Sequence, residues 1–276
     1  MKVCALAVGG LDPSGGAGVI ADARAFEIAG AFPCAIAATL TVQSTLRLVA
    51  SLPVSPETVR AQLDEIAAHQ NVMAVKIGAL GSAENVGLLA DFLSKLRLLP
   101  IVIDPVFLPT HGEGRLLAAD GVAQVREQLV PRATLVTANA SEAEELTGRR
   151  VRSLSEAREA ARALVALGAY AALVKGGHLE ERDAVDCLAI GDDCIDLRES
   201  RLDIGDVHGT GCTLAALITG RLAVVRFAEE NDAARRHSAL QEAVQWGRSM
   251  HRAMLQEAVR IGKGASVMPA PRPPRK

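Results

Sequence analysis

The chain has 276 residues, 49% apolar but only 3% aromatic, with a net charge of −2 and a pI near 6.3. That length suits one large α/β domain or two small ones, the apolar share excludes disorder as the default state, and an aliphatic core favours buried parallel strands under Ala-rich helices. The near-neutral charge excludes a general affinity for nucleic acid or anionic lipid, no apolar run reaches membrane-spanning length, and five cysteines without a C-x-x-C exclude a disulfide frame or zinc knuckle.

Val3 to Val8 is a short apolar run ending in Gly9-Gly10, which predicts a buried strand. The segment around it carries one charge and no cleavage site, so the cytoplasm is the expected location. Gly15 to Ala29 places Val19, Ile20, Ala23, Phe26 and Ala29 at helical spacing. Cys34 to Thr39 and Leu48 to Val54 predict two further strands. Ser55-Pro56-Glu57 opens a helix with a cap, a first-turn proline and an acid at the positive end. A strand follows at Val72 to Ile77, then a helix from Glu84 to Leu96 and a strand at Ile101 to Ile103 that ends on Asp104-Pro105. Leu116 to Leu129 reads as a helix, Ala133 to Val136 as a strand, and Ser141 to Leu146 as a helix broken by Gly148. Ser153 and Glu156 have capping-box spacing and open a helix to Leu167.

Ala171 to Val174 predicts the next strand, followed by Lys175-Gly176-Gly177. Ala184 to Ile190 and Ile195 to Leu197 read as a hairpin around Gly191-Asp192-Asp193, with Cys187 and Cys194 facing each other across it. Gly209 to Leu222 is helical, and about Asp232 to Ile261 forms one or two closing helices. The expected organisation is a single domain over residues 1–262 and a disordered tail over 263–276. This βα alternation predicts an open, mostly parallel sheet with helices on both faces. Its ligand site lies beyond the carboxyl ends of the strands. Gly9-Gly10-Leu11-Asp12, Lys76, Asp104, Asn139 and Lys175 all fall there.

The strongest chemical feature is Asp206-Val207-His208-Gly209-Thr210-Gly211-Cys212-Thr213 ahead of an apolar helix. The glycines let backbone approach a ligand, and the helix turns its free N–H groups and positive end toward the loop, where a transferring phosphoryl group can sit. Cys212 at that position is expected to have its thiol pKa lowered, ready to accept a proton from an attacking hydroxyl. A glycine-rich turn with a small buried Cys fits the same string equally well. The second glycine-rich loop, Gly9 to Gly18, lacks the Walker Gly-Lys-Ser/Thr ending and the G-x-G-x-x-G spacing, and it leaves room for a flat ring against backbone. Lys175 can place a charge on nucleotide phosphates, Asp104 can hold magnesium, and Asn139 with Glu142 can orient metal-bound water. Alone, each of the last three also suits a turn or a helix start. Gln43 offers the donor and acceptor pair that an aminopyrimidine edge requires, though taken alone it fits a solvated loop position better. His69 and His237 sit in polar helical surroundings, and His111 lies in a possible lid.

Together these strings resemble the hydroxymethylpyrimidine/phosphomethylpyrimidine kinases of the ribokinase-like superfamily. The matching pieces run in family order from about residue 3 to about residue 225. They are Asp12 to Gly18 with Ala21-Asp22, Gln43 with Thr45, Lys76-Ile77-Gly78, Asp104-Pro105-Val106, Asn139 to Glu144, Val174 to His178 and His208 to Thr213. The resemblance implies a three-layer αβα sandwich, with ATP as co-substrate and Mg2+ as cofactor. It also implies two successive phosphorylations of 4-amino-5-hydroxymethyl-2-methylpyrimidine on the route to thiamine, and a homodimer. Cys212 is the implied base, and Gly209, Thr210 and Gly211 complete the anion hole with it. Gly10, Asp12, Ala17, Thr41, Gln43, Ala79 and Val106 are implied to hold the pyrimidine. Lys175, Asn139, Glu142 and Gly177 are implied to hold ATP, with Asp104 and Glu142 on the metal. Cys in place of the superfamily's usual catalytic Asp marks this branch and some vitamin B6 kinases. Ala79, where the family carries Met, leaves the ring pocket roomier, and the segment Phe107 to Gly112 lacks the family's basic flap. The alternatives are a pyridoxal or pyridoxine kinase of the same fold and a non-catalytic pyrimidine-binding homologue.

Overall fold

A computed structural model describes residues 2–95, 99–109, 114–177, 179 and 181–269. Among them, nine strands build one sheet: β1 (Cys4–Leu11), β2 (Phe32–Gln43), β3 (Leu48–Pro53), β4 (Val72–Ile77), β5 (Ile101–Ile103), β6 (Leu135–Ala138), β7 (Ala171–Val174), β8 (Asp183–Ile190) and β9 (Asp193–Ser200). Their spatial order is β3-β2-β1-β4-β5-β6-β7-β8-β9. The six strands from β2 to β7 are mutually parallel, and β3, β8 and β9 are antiparallel at the two margins. Continuous apolar runs such as Cys4 to Val8 suit this arrangement, because both faces of the parallel strands are covered.

One face of the sheet packs under α2 (Pro56–His69), α3 (Ala83–Lys95), α4 (Ala119–Gln124), α5 (Ala140–Thr147) and α6 (Leu154–Ala166), whose inner residues include Leu63, Leu89, Leu146 and Leu164. The other face packs under α1 (Gly18–Ala29), α7 (Thr210–Val224) and α8 (Ala233–Gln256) through Phe26, Leu217, Ile218 and Val244. The expected three-layer αβα sandwich is therefore present, and the closing helical segment is one helix rather than two. The capping box expected at Ser153 begins α6, and a second one, at Asn139, begins α5 one residue ahead of the expected Ser141.

Local expectations change in three places. The helix expected from Leu116 begins only at Ala119, and it widens into a π-helical turn at Val125–Leu129 before a 3-10 turn over Val130–Arg132. Pro131 has no N–H to return to the Glu127 carbonyl, so the regular ladder cannot run to the end. In the hairpin, Cys187 pairs with Asp196 and Cys194 with Ala189, so the two free thiols are diagonal neighbours rather than opposites. The third change is the tail expected to be disordered from residue 263, which is placed through residue 269. Within it β11 (Ser266–Val267) pairs in parallel with β10 (Val207–His208), Ala265 N–H donates to the Thr45 carbonyl at 2.9 Å, and Met268 is buried. His111, His178 and residues 270–276 lie outside the described residues.

Candidate active site

From β1 the chain moves to β2 on one side, while β4 and the later parallel strands lie on the other. The order thus reverses beside β1, and in open parallel sheets the crevice at such a reversal is where ligands bind. The loops leaving β1, β4, β5, β6 and β7, together with the start of α7, all open there.

α7 begins at Thr210 from Gly209, which is left-handed at φ 76 and gives the helix no side-chain cap. A Cβ at Gly209 would overlap the Gly16 carbonyl, so glycine is required both by conformation and by contact. That contact brings the two glycine-rich loops together. The Thr213 N–H is the first to find a partner, the Gly209 carbonyl at 3.0 Å. The N–H groups of Thr210, Gly211 and Cys212 precede any intrahelical acceptor and remain available to an anion. A Cβ on Gly211 would lie 3.0 Å from Lys175 Nζ and 3.6 Å from Asp104 Oδ1, so the bare backbone admits both groups to the mouth of the hole.

Behind this mouth lies a buried chain of charges. Lys175 Nζ is 3.2 Å from Asp104 Oδ1 and 3.8 Å from Glu142 Oε2. Lys76 Nζ is 3.0 Å from Asp22 Oδ2 and 3.9 Å from Asp104 Oδ2. Lys76 and Asp104 are each 1% exposed and Asp22 is fully buried. Burial acts against both ammonium groups, but the flanking carboxylates outweigh it and hold Lys76 and Lys175 in the charged form. Burial would also raise Asp104, yet the two lysines keep it below the ordinary carboxylate value. Glu142 is pushed up to about 7 by burial, with Lys175 pulling down and Asp104 pushing up. Asp22 is likewise pushed up to about 6 by burial despite Lys76.

Cys212 is half-buried at the meeting point, with the Gly18 N–H facing its sulfur. The expectation of a lowered thiol pKa is corrected. Burial pushes the thiol up to about 12, and Asp104 and Asp22 add to the rise against the pull of Lys76. The helix end is only one contributor, and burial, with two carboxylates adding to it, reverses the sign read from sequence.

The ring-binding expectations fall on one wall. Gly10 faces Thr39 and Ala79, and Ala79 clusters with Leu48, Leu116 and Val106. Thr41 Oγ1 donates to the Leu11 carbonyl at 2.9 Å, tying β2 to the end of β1, and Gln43 follows on the same strand. Ala17 stands at the start of α1. Asp12 takes a different part from the expected ligand contact. Its Oδ1 accepts from Ser14 N–H at 2.8 Å, and its Oδ2 accepts from Ser14 Oγ at 2.9 Å, Ala17 N–H at 3.0 Å and His208 Nε2 at 2.8 Å. The carboxylate is saturated within the protein and shapes the loop. Asn139 is also engaged locally: its Oδ1 accepts from Glu142 N–H at 2.9 Å, while its own N–H donates to Glu142 Oε2 at 2.7 Å.

Leu48, Leu116, Asp22, Thr137, His208 and His251 had no assigned part in the sequence reading. Thr137 Oγ1 lies 3.5 Å from Asp104 Oδ1, and His251, pushed down to about 4 by burial, faces the Thr210 carbonyl as a neutral imidazole. The loop after β7 is held from behind. Asp186 accepts from Gly176 N–H at 2.9 Å and from Arg248 Nε at 2.9 Å, while Arg201 donates to the carbonyls of Gly177, Leu179 and Glu181. Of these, only Asp22 and His208 stood in motifs singled out from the sequence. The others are ordinary helix, strand or loop residues until folding brings them to the cleft.

Comparison with known proteins agrees with this geometry. Residues 12–269 match the phosphomethylpyrimidine kinase family. A hydroxymethylpyrimidine/phosphomethylpyrimidine kinase of Rhizobium meliloti is 39% identical over 224 residues, covering 81% of this chain and 84% of that protein. Among solved structures, an ADP complex of Bacillus subtilis pyridoxal kinase superposes with a TM-score of 0.85 at 28% identity, covering 98% of this chain and 97% of that one. A phosphomethylpyrimidine kinase of Clostridium difficile superposes with a TM-score of 0.75 at 27% identity, covering 91% and 99%.

Proposed function

The chain belongs to the phosphomethylpyrimidine kinase family, and from that premise we propose that it phosphorylates 4-amino-5-hydroxymethyl-2-methylpyrimidine with ATP and then extends the monophosphate to the diphosphate, for thiamine biosynthesis. The observation that carries this reading is the contact of Gly209 with Gly16, which sets a flat, small-residue ring wall beside an anion hole. The ring lies against Gly10, Ala17, Ala79 and Val106 and is read by Gln43. Its hydroxymethyl oxygen points at Cys212. As that oxygen bonds to the γ-phosphorus of ATP, its proton passes to the Cys212 sulfur in its thiolate form, giving the neutral thiol, and the bond to ADP breaks. The N–H groups at the start of α7 and the Lys175 ammonium take up the charge on the transferring oxygens. Gly177 and the Asn139–Glu142 turn border the nucleotide.

Asp104 and Glu142 would hold Mg2+. The buried Asp104 Oδ2 has no hydrogen-bond partner, and both groups are the hard oxygen donors that Mg2+ prefers. Among the described residues no group of three or more side chains could hold a metal, so nucleotide phosphates and water would complete its shell. Bound there, Mg2+ supplies charge neutralisation on the phosphate oxygens.

The kinase reading treats the described chain as one domain, with β11 included, working in the cytoplasm. No described helix is long and apolar enough to cross a membrane. The partner is a second copy of the chain. The β2–β3 ribbon turns Thr39, Thr41 and Gln43 toward the cleft and leaves Leu40, Val42, Val49 and Leu52 exposed, Val49 at 64%. Such an apolar edge suits a subunit contact. Val49→Glu with Leu52→Glu is expected to shift sedimentation from dimer to monomer, and a wild-type protein that sediments as a monomer removes the dimer.

A pyridoxal kinase is the second reading, favoured by the TM-score of 0.85 to the Bacillus subtilis enzyme and by the small Ala79. Mass analysis of the products made from ATP and each alcohol separates the two. One and then two phosphates on hydroxymethylpyrimidine are expected, and faster turnover of pyridoxal overturns the substrate assignment.

A further inference from the structure

His208 belongs to the His-Gly-Thr-Gly-Cys string, yet the phosphoryl transfer just described does not use it. Its imidazole is 5% exposed and lies on β10, which β11 pairs from the C-terminal segment. A Cβ on Gly16 would come within 2.6 Å of its Cδ2 and 2.9 Å of a Val267 methyl, so the ring is confined on that side. His208 Nε2 is 2.8 Å from Asp12 Oδ2. That carboxylate is an acceptor only, so Nε2 carries the hydrogen. The terminal amide of Gln43 lies 3.1 Å from the same Nε2 through the atom assigned as its nitrogen. Nitrogen at that end of the amide would set two donors face to face. The two amide atoms are nearly isosteric, and the hydrogen-bond network decides between them. The amide oxygen therefore belongs against His208. The NH2 group then occupies the far end of the amide, where Gln43 has no hydrogen bond to any described residue.

We propose that His208 is a positioning residue that locks the Gln43 amide with its oxygen inward and its NH2 toward the ligand, so that the pocket selects a ring offering an unprotonated nitrogen beside an amino group. The NH2 would donate to the ring nitrogen. The second lone pair of the oxygen would accept from the adjacent amino group. The single Nε2 hydrogen of His208 is shared between Asp12 Oδ2 and, more weakly, the Gln43 amide oxygen, and the C-terminal strand fixes His208. This inference rests on the hydroxymethylpyrimidine reading and adds a residue that discriminates between rings.

The test is the ratio of kcat/KM for hydroxymethylpyrimidine to that for pyridoxal. His208→Leu frees the amide to turn and is expected to lower the ratio by about tenfold or more, chiefly through KM for the pyrimidine. His208→Gln, whose NH2 can reach the Nε2 position, is expected to restore the ratio to within about threefold of wild type. Gly16→Ala keeps the side chains of His208, Asp12 and Gln43 chemically intact but displaces the imidazole, and it is expected to repeat the fall. A ratio unchanged in His208→Leu, or equal losses on both substrates with no rescue by glutamine, overturns the proposal. Should wild type phosphorylate neither alcohol, the functional reading fails, and the 15N shifts of His208 still decide this one. A protonated Nε2 supports it and a bare Nε2 refutes it.

Discussion

Replacing Cys212 by alanine is expected to lower turnover by about 100-fold or more, the usual scale for loss of a general base, while the affinity for hydroxymethylpyrimidine changes little. The sulfur sits where the two glycine-rich loops meet, and the ring wall of Gly10, Ala79 and Val106 does not depend on it. Serine at the same position keeps the volume and a hydrogen bond but ionises far less readily, so Cys212→Ser is expected to lose about as much as alanine. Recovery of most activity in the serine variant would make Cys212 a packing residue. The direction of the thiol shift adds a pH signature. With the thiol pushed up to about 12, the thiolate fraction grows about tenfold for each pH unit across the neutral range. Wild-type kcat/KM for the pyrimidine alcohol is therefore expected to climb from pH 6 to 8, and the residual rate of Cys212→Ala to stay flat. A flat wild-type profile would remove thiol ionisation from the rate.

Lys76→Met is expected to destabilise the fold by about 3–5 kcal/mol, the range for breaking a buried ion pair from one side. The ammonium stands between Asp22 and Asp104 with almost no access to water, and removing it leaves two buried carboxylates facing each other. Urea unfolding measures the loss, and the pH dependence identifies its cause. Asp22 already binds its proton more tightly folded than unfolded, since its value of about 6 exceeds the ordinary 3.8. Ionising it therefore opposes folding, and stability falls as pH rises between those values. Without Lys76 the folded-state value climbs further, so the deficit of the variant is expected to be smallest near pH 4 and to widen as pH rises. A second substitution, Asp22→Leu, is expected to return part of the stability, because one unpaired charge is removed with its partner. A Lys76→Met protein as stable as wild type at pH 7 would show that the pair is not holding this part of the core.

The order of elements and the residues at the strand ends were legible because they depend on local chemistry. Ser55 and Ser153 cap the helices they were expected to cap, and Lys175 and Asp104 fall at the carboxyl ends of parallel strands. The strand β11 has no signal in the sequence because Ser266 and Val267 lack any periodicity, and it exists only against Val207 and His208. The sign of the Cys212 shift was misread for a related reason. Sequence shows the helix start but not the burial of the thiol, nor the two carboxylates that folding brings beside it.

The sequence by itself determined the αβα architecture and the two glycine-rich loops, and it singled out Cys212 as a candidate base, since each is written in contiguous residues whose spacing carries its meaning. Tertiary structure alone decided what those groups experience. It buried Asp22 against Lys76, saturated Asp12 within its own loop, and set His208 between Asp12 and Gln43 across 196 and 165 positions of sequence. Burial, charge proximity and hydrogen-bond direction depend on distance through space, and no local pattern encodes that distance before the chain has folded.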